Sequence, residues 1–279
     1  MTENSLSRLI QIALQEDIPT VDVTTESLHL DSLQGLARVI AKEDLVLSGT
    51  DPFTETLKAV DSSVTVDWQF QDGAFILNQQ NICVIRGPIA SILKGERVAL
   101  NFLGHLSGIA TLTRCYAEQI KHTKTKILDT RKTLPGLRAL EKMAVVHGGG
   151  CNHRMSLSDG VLIKENHIEF AGGLAIAVNS IQKESRLPVE VEVRNLDEVR
   201  KAVSLGVWRI LLDNMSIDDM REALRNIPAP IETEASGNMT LERVREVAEL
   251  GVDFISVGAL THSAPCADIS LLLEQRTST

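Results

Sequence analysis

Positive charge is concentrated around one short apolar segment of this sequence. His153, Arg154 and Lys164 flank the segment 161–163, and Arg131 precedes them in "LDTRKT". The whole chain has a formal net charge of -9, so this group of cations is a local feature. Cations at the ends of buried strands usually face an anion, and arginine binds a carboxylate through two parallel hydrogen bonds. The pattern therefore predicts a ligand with more than one acid group.

Carboxylates follow on the next two predicted strands. Glu190 and Glu192 lie in "VEVEV", and Asp213 ends "RILLD". Alternate residues of a strand share one face, and a buried carboxylate needs a cation or a metal ion as its partner. Glu192 and Asp213 could bind sugar hydroxyls or a magnesium ion that keeps several waters. The alternative is a structural ion pair with Lys164 or Arg131.

Two glycine-containing segments follow the last two predicted strands, at 236–238 ("SGN") and 257–259 ("VGA"). Exposed backbone N–H groups next to a helix start can bind phosphate, and α/β barrels often bind phosphate after their final strands. The alternative is that Gly237 and Gly258 only form turns. Together the three groups of residues predict a site for a phosphosugar donor and a small acidic acceptor.

The second half of the chain alternates strands and helices. Short aliphatic strands are predicted at 126–130, 161–164, 189–193, 209–213, 231–236 and 254–258, with helical segments between them. Strict alternation predicts parallel strands with right-handed crossovers. Polar residues at the carboxyl ends of the strands favour a barrel, because barrel active sites are built there. A flat doubly wound sheet is the alternative, but no G-x-G-x-x-G follows the first of these strands.

The first half of the chain has a less regular order. An amphipathic helix is predicted at 5–16, and strands at 36–42, 64–70, 74–78 and 82–87, which is typical of an α+β domain. A long helix is predicted from about 88 to 120, and Gly104 and Gly108 lie four residues apart on it, so that another element can approach closely. On a later helix, Arg138 and Lys142 are expected to form a solvated face.

Composition sets outer limits on function. The chain has 279 residues with 43% hydrophobic and 23% charged residues, which suits a globular protein of one large or two ordinary domains. Its acidic balance argues against nonspecific nucleic-acid binding. We see no targeting signal and no membrane-spanning stretch, so a cytoplasmic location is expected. The four cysteines are widely spaced, and His147, Cys151 and His153 match no standard zinc pattern.

Six segments, in order, resemble the quinolinate phosphoribosyltransferase family, also called nicotinate-nucleotide pyrophosphorylase (carboxylating). They are "GERVALNFLGHLSGIAT", "LDTRKTLPGLRALEKMAV", "GGGCNHRMSLSDGVLIKENHI", "LLDNM", "EASGN" and "ISVGALTHSAP". The resemblance implies transfer of phosphoribosyl from phosphoribosyl pyrophosphate to quinolinate with decarboxylation, which gives nicotinate mononucleotide, CO2 and pyrophosphate for NAD biosynthesis. It implies Mg²⁺ as the cofactor. A molybdenum-operon relative shares the fold but lacks the "DTRKT" and "NHRM" signatures.

The resemblance also implies the α/β architecture of this family. An N-terminal α/β sandwich domain at 1–105, joined by the C-terminal segment 265–279, would precede an incomplete TIM-like α/β barrel at 106–264. Arg97 would reach into the site of a partner subunit, so the active form would be a homodimer or larger. Val98, Cys151 and Ser156 depart from the residues common in the family at these positions, and none of the three is an expected ligand.

The expected site residues fall into three groups by resemblance. Quinolinate would be held by Arg131, His153, Arg154 and Lys164, and the phosphoribosyl donor with its magnesium ion by Lys132, Glu192 and Asp213. The 5-phosphate would be held by Ser236, Gly237, Gly258 and His262, and the substrate contacts would also include Thr130, Asn238, Val257 and Ala259. Lys132, Lys164, Glu192 and Asp213 would be catalytic, and Glu192 and Asp213 would bind Mg²⁺, partly through substrate and water.

Two other functions fit parts of the pattern. A barrel lyase could use Lys132 or Lys164 as a Schiff base, which requires a lysine with a lowered pKa in a dry pocket. Borohydride trapping with substrate would reveal that enzyme. A noncatalytic binding protein for an acidic metabolite would bind its ligand without forming product.

Overall fold

The computed structural model describes residues 3–30 and 33–274 and divides the chain into two compact units. The first unit consists of Met1–Arg114, Leu134–Gly149 and Ser263–Thr279, and the second of Cys115–Thr133 and Gly150–His262. Residues 1, 2, 31, 32 and 275–279 of the expected first domain lie outside the described residues. The expected domain boundaries at residues 105 and 264 stay a prediction.

The elements follow one another along the chain in this order. The first part contains α1 (Glu3–Asp17), α2 (Val23–Ser27), β1 (Gln34–Ala41), β2 (Leu45–Val46), α3 (Thr50–Val60), β3 (Thr65–Trp68), β4 (Phe75–Ile76), β5 (Asn81–Pro88) and α4 (Ile89–Ile120). The second part contains β6 (Lys126–Leu128), α5 (Arg138–His147), β7 (Val161–Ile163), α6 (Glu165–Ala171), α7 (Leu174–Glu184), β8 (Val189–Val193), α8 (Leu196–Ser204), β9 (Arg209–Asp213), α9 (Ile217–Asn226), β10 (Glu232–Ser236), α10 (Leu241–Glu249), β11 (Phe254–Ser256), α11 (Ala259–His262) and β12 (Ile269–Glu274).

The first unit is built on an antiparallel sheet with the strand order β12-β1-β5-β3, and β2 and β4 form a separate pair. Alternate residues of the central strands, such as Val39 on β1 and Ile85 on β5, are fully buried. They join Phe53 and Leu57 of α3 and Leu103 of α4 in one hydrophobic core. The predicted N-terminal helix and the four predicted strands are confirmed, with small differences at their ends.

The second unit is a parallel sheet with the strand order β6-β11-β10-β9-β8-β7. All six predicted strands are confirmed, and so is the predicted α/β fold class. The first strand of this unit pairs with the last, while β6 and β7 form the two edges. The chain that connects β6 to β7 contains Leu134–Gly149, and this segment belongs to the first unit.

The two faces of this parallel sheet differ sharply in polarity. On one face, Val191, Ile210 and Ala235 are fully buried. On the other face, Glu190 is level with Arg209 on the neighbouring strand, and Ser236 is level with Asp213. Because side chains alternate along a strand, the sequences "VEVEV" and "ETEAS" place every second residue on this polar face. We call it the polar face of the second unit.

The expectation of a solvated face at Arg138 and Lys142 is wrong for Lys142. Lys142 on α5 is fully buried, as is its neighbour Glu141. Glu141 accepts hydrogen bonds from His105 Nε2 at 2.8 Å and from the backbone N–H of Leu134 at 3.2 Å. The helix therefore buries charged residues together with its apolar ones, which sequence periodicity does not reveal.

Among the described residues, no helix is long and apolar enough to cross a bilayer.

Gly104 and Gly108 on α4 make the close approach that their spacing predicted. Ala267 donates its backbone N–H to Gly104 O at 2.9 Å. A Cβ added at Gly108 would lie 1.9 Å from Pro265 O, and a Cβ added at Gly104 would lie 3.1 Å from Ala267 O. The segment that leads into β12 therefore runs directly against the backbone of α4.

We predict that Gly108→Ala destabilises the protein. Helix propensity alone would make the alanine variant more stable by about 1 kcal/mol. The clash with the backbone of residue 265 should reverse that sign and cost about 1–3 kcal/mol. Thermal unfolding followed by circular dichroism should show a lower midpoint than wild type, and Gly104→Ala should lose less. A higher midpoint for Gly108→Ala would contradict the close approach.

Candidate active site

A cavity of about 800 Å³ opens at the carboxyl ends of the parallel strands in the second unit. Such a volume is typical of a small-molecule site. Every strand residue that lines the cavity comes from the polar face or from the end of its strand. The lining consists of Thr130, Arg131, Lys132, His153, Arg154, Leu162, Lys164, Glu192, Leu211, Asp213, Asn214, Glu234, Ser236, Gly237, Asn238, Met239, Thr240, Ser256, Val257, Gly258, Ala259 and His262.

Two arginines give one side of the cavity its positive charge. Burial lowers the pKa of Arg154, and the nearby charge of Arg131 lowers it further. Arg154 Nη1 donates to Gly160 O at 2.8 Å, while Arg131 Nε is buried and has no hydrogen-bond partner among the described residues. Two cations that disfavour each other's charge, one of them with an unused donor, suit an anionic ligand.

The loop that carries Arg131 and Lys132 is fixed by hydrogen bonds. Thr130 Oγ1 accepts from Lys132 N at 3.0 Å, and Thr261 Oγ1 donates to Lys132 O at 2.7 Å. Asp129, fully buried at the end of β6, accepts from His153 N at 2.9 Å. The basic loop and the histidine are therefore held to the sheet through main-chain atoms, and the side chains of Arg131 and Lys132 line the cavity.

Two carboxylates, Glu192 and Asp213, line the cavity at the ends of β8 and β9. Lys164 Nζ lies 2.9 Å from Glu192 Oε2, so the expected alternative of a Glu192–Lys164 ion pair is present in the structure. Arg194 lies 3.8 Å from both Glu192 Oε1 and Asp213 Oδ2 and also pairs with Glu165. The hydrogen bond and charge of Glu165 raise the pKa of Arg194. One guanidinium therefore lies within ion-pair distance of both carboxylates, which are the kind of oxygen ligand that Mg²⁺ prefers.

Two glycine loops, after β10 and β11, also line the cavity. Gly237 has a φ of 95°, and a Cβ there would lie 2.2 Å from Asn214 Oδ1. At Gly258 a Cβ would lie 3.1 Å from Lys132 Cδ and 3.3 Å from the ring of His262. The left-handed backbone therefore favours glycine at 237, and a side chain at 258 would fit only if Lys132 and His262 moved by a few tenths of an ångström.

A buried charged cluster lies beneath the cavity, formed by His153, Glu190, Glu234 and Arg209. His153 Nε2 is 3.1 Å from Glu190 Oε2 and 3.6 Å from Glu234 Oε2. Arg209 Nη1 donates to Glu234 Oε2 at 3.1 Å, and Arg209 Nη2 donates to Glu232 Oε2 at 2.6 Å. We call His153, Glu190, Glu234 and Arg209 the floor cluster.

Burial and charge perturb the floor cluster strongly. Burial and, to a smaller extent, the negative charge of Glu190 raise the pKa of Glu234 to about 7 against the lowering influence of His153, Ser256 and Arg209. Burial alone would lower the pKa of His153, but its hydrogen bond to Glu190 and the charges of Glu234 and Glu190 raise it overall. At least one of these groups therefore changes protonation near neutral pH.

The structure brings together every predicted site residue except Arg97. Arg97 is an exposed residue of α4 in the first unit, whereas the cavity is lined by the second unit alone. The roles predicted for the individual residues stay predictions. Seven lining residues were not among the predicted ligands, although Asn214 and Glu234 belong to the polar residues that the sequence places at strand ends: Leu162, Leu211, Asn214, Glu234, Met239, Thr240 and Ser256. Sequence reasoning also missed Arg194, although the same two-residue period that links Glu190 and Glu192 leads to it.

Comparisons with known proteins agree over nearly the whole chain. Residues 22–107 match the N-terminal domain of quinolinate phosphoribosyl transferase, and residues 109–272 match its C-terminal domain. The chain is 40% identical to a Nicotiana tabacum quinolinate phosphoribosyltransferase [decarboxylating], covering 96% of this chain and 82% of that one. It is 38% identical to a probable nicotinate-nucleotide pyrophosphorylase [carboxylating] of Bacillus subtilis, covering 97% and 94% of the two chains. A solved nicotinate-nucleotide pyrophosphorylase from Francisella tularensis superposes with a TM-score of 0.94 at 39% identity, covering 98% of each chain.

We predict that Arg209→Met destabilises the protein, and more so at high pH. Removing one partner of a buried ion pair typically costs about 3–5 kcal/mol. The cost should be smaller at pH 6, where Glu234 is mostly protonated, and larger at pH 8.5, where it is mostly charged. Urea unfolding at both pH values measures the difference.

The control for this experiment is Arg245→Met. Arg245 pairs with Glu249 on α10, and its side chain is 61% exposed. Its loss should change stability by about 0.5 kcal/mol or less, as is usual for a pair within an exposed helix. An Arg209→Met loss that is small, or equal at both pH values, would show that Arg209 does not compensate Glu234.

Proposed function

The chain belongs to the quinolinate phosphoribosyltransferase family, and we propose that the cavity of its parallel sheet holds quinolinate and phosphoribosyl pyrophosphate together. The reaction of the family transfers the phosphoribosyl group to quinolinate with decarboxylation and yields nicotinate mononucleotide, CO2 and pyrophosphate. The observation that best supports this assignment is that three kinds of chemistry line one cavity. They are the arginines Arg131 and Arg154, the carboxylates Glu192 and Asp213, and the glycine loops at Gly237 and Gly258.

Quinolinate is assigned to the arginine side. Arg131, His153, Arg154 and Lys164 line this side, and Arg131 Nε is a buried donor without a partner in the described structure. Quinolinate carries two carboxylates on adjacent ring carbons, and each can accept two hydrogen bonds from one guanidinium. Two arginines side by side therefore suit the acceptor better than a monoacid.

The phosphoribosyl donor is assigned to the carboxylates Glu192 and Asp213 and to the glycine loops. Lys132, Glu192 and Asp213 would contact the ribose and pyrophosphate. Backbone N–H groups near Ser236, Gly237 and Gly258, together with His262, would contact the 5-phosphate, with further contacts from Thr130, Asn238, Val257 and Ala259 along the same wall. Glu192 and Asp213 would hold Mg²⁺ with water and substrate oxygens, because a pair of carboxylates at one cavity edge is the donor set this ion prefers. When bound, Mg²⁺ supplies positive charge to the leaving pyrophosphate.

The protein contributes mainly position and charge to the chemistry. As the bond from the anomeric carbon to pyrophosphate breaks, positive charge develops on the ribose, and Glu192 and Asp213 stabilise it electrostatically. Attack by the pyridine nitrogen makes the ring cationic. The carbon–carbon bond to the adjacent carboxylate then breaks, its electron pair stays on the ring carbon, and a proton takes the place of CO2. Lys132 and Lys164 stay charged in this scheme and hold the anions in register.

Assembly and location complete the proposal. Arg97 lies outside its own cavity lining, so we assign it to the quinolinate site of a second copy in a homodimer or larger assembly. We place the reaction in the cytoplasm. The proposed function includes no binding to nucleic acid and no binding to a membrane.

We predict that quinolinate is a far better acceptor than nicotinate. Nicotinate has one carboxylate, so at least one cation of the arginine side loses its partner, at a cost of about 1.5–3 kcal/mol and therefore about 10- to 100-fold in kcat/KM. Each acid is incubated with phosphoribosyl pyrophosphate and Mg²⁺, and nicotinate mononucleotide is detected by mass. Equal use of the two acids would contradict a dicarboxylate site. No product from quinolinate with any divalent metal would contradict the proposed function.

We predict that Arg97→Ala and Lys164→Ala complement each other. Each variant alone should be nearly inactive, because each lacks a cation that faces the acceptor. After dissociation and mixing, half of the dimers pair one variant with the other, and each of these contains one site with both wild-type residues. Activity should therefore recover to about a quarter of the wild-type value.

Subunit exchange is checked by mass spectrometry of differently tagged variants. A mixture of Lys164→Ala with a second Lys164→Ala preparation is the matched control and should stay inactive. Confirmed exchange without recovery in the Arg97→Ala mixture would show that Arg97 does not act in the partner's site.

A further inference from the structure

The floor cluster contains two carboxyl groups that are almost completely removed from solvent. Glu190 is 2% exposed and Glu234 is 0% exposed. One oxygen of each carboxyl and one nitrogen of His153 lie within 4.8 Å of one another. A group of this size and composition can hold either a metal ion or a proton, and its hydrogen bonds distinguish the two.

The hydrogen bonds of His153 disfavour a metal ion. Arg154 donates its backbone N–H to His153 Nδ1 at 2.7 Å, so Nδ1 is an acceptor and carries no hydrogen. In a neutral imidazole the hydrogen then lies on Nε2, which points at Glu190 Oε2 at 3.1 Å. A histidine that binds metal through Nε2 needs that nitrogen free and usually donates from the other one. The arrangement here is the reverse.

The carboxyl oxygens indicate a proton instead. Glu190 Oε1 and Glu234 Oε1 are both buried without a hydrogen-bond partner among the described residues. Arg209 contacts the other oxygen of Glu234 and is shared with Glu232 at the edge of the cluster. Leaving two ionised carboxylates with unsatisfied buried oxygens is costly, and one added proton removes one charge and supplies one donor.

We propose that Glu234 is held as a neutral acid beneath the cavity, and that its proton allows a dianionic acceptor to bind beside Arg131 and Arg154. The inference rests on the proposed function and identifies Glu234 as a positioning residue for quinolinate. With Glu234 ionised, a second negative charge lies 3.6 Å from His153, which is assigned to the acceptor, and it opposes the dianionic ligand. With Glu234 neutral, only Glu190 and the positive charge of Arg209 remain at that depth.

The protonation of Glu234 depends on groups from every neighbouring element. Glu190 on β8 favours the neutral form, while Arg209 on β9, Ser256 on β11 and His153 before β7 favour the charged form. Burial dominates and raises the pKa of Glu234 to about 7. The neutral acid is therefore present below neutral pH and is lost as the pH rises through this value. His153 could take the proton only by breaking its bond from Arg154 N–H, which favours the carboxyl as the proton's position.

The test compares quinolinate binding by wild type, Glu234→Gln and Glu232→Gln between pH 6 and pH 8.5. Glutamine at 234 keeps the size and the neutral charge of the protonated acid. Glu232→Gln is the matched control, because Glu232 contacts the same arginine from the more exposed amino-terminal end of β10. Quinolinate keeps its charge throughout this range, since carboxylic acids ionise well below it. Calorimetry in two buffers with different ionisation heats gives both the affinity and the number of protons taken up.

Wild type and Glu232→Gln should lose about tenfold in affinity across the range and take up a fraction of a proton near pH 7.5. Glu234→Gln should bind with nearly constant affinity and no proton uptake. Unchanged pH dependence in a folded Glu234→Gln variant would overturn the proposal. Absence of proton uptake by wild type would also overturn it, and this result does not depend on how the variant folds.

Two further measurements separate the possible failures. Titration of wild type and Glu234→Gln with Mg²⁺, Mn²⁺ or Zn²⁺ alone should give the same heat of binding. A heat that is present in wild type and lost in Glu234→Gln would show that the floor cluster is a metal site and would overturn the proposal. Product formation at pH 6 from quinolinate, phosphoribosyl pyrophosphate and Mg²⁺ tests the proposed function independently. If product forms but Glu234→Gln leaves the pH profile of kcat/KM for quinolinate unchanged, only the role of Glu234 is overturned and the proposed function stands.

Discussion

The compensation of buried carboxylates by a single arginine is the constraint on which the second unit depends. Arg209 lies within the parallel sheet, and its side chain is only 9% exposed. Its guanidinium is held over the rings of Trp208 at 4.2 Å and Phe254 at 4.0 Å, so it cannot easily move away from Glu232 and Glu234. An acidic layer inside a sheet is stable only with such a fixed cation.

Charge is organised by depth along the polar face. In the floor cluster, the carboxylates are matched by Arg209 and His153 of the same cluster. The excess of negative charge that remains is small enough for one proton to neutralise. Toward the rim, Glu192 and Asp213 are matched by Lys164 and Arg194, whose side chains are 50% and 46% exposed. Exposed cations can exchange one partner for another at little cost. The floor therefore fixes the geometry, whereas the rim can reorganise around a ligand.

The sequence was sufficient for the strands of both units and for most of the cavity lining, because alternation and polar strand ends are local signals. The same period in "ETEAS" places Glu234 on the face of Ser236, so this residue was within reach of sequence reasoning. Its protonation was not, because that depends on Glu190 and His153, which are distant in sequence. The burial of Lys142 was also hidden, since α5 packs with the first unit although it lies between two strands of the second. Such groupings are set by tertiary contacts and leave no periodic trace.

The order of strands in the first unit has a consequence for synthesis on the ribosome. Strand β1 lies between β5, which ends at Pro88, and β12, which begins only at Ile269. One edge of β1 therefore stays uncovered while the chain between Pro88 and Ile269 is being made, even though domains generally fold as they are made. An uncovered edge offers its N–H and C=O groups to any other extended chain. The nascent protein thus passes through a long period in which its first unit is open to aggregation, and the translation of β12 ends that period.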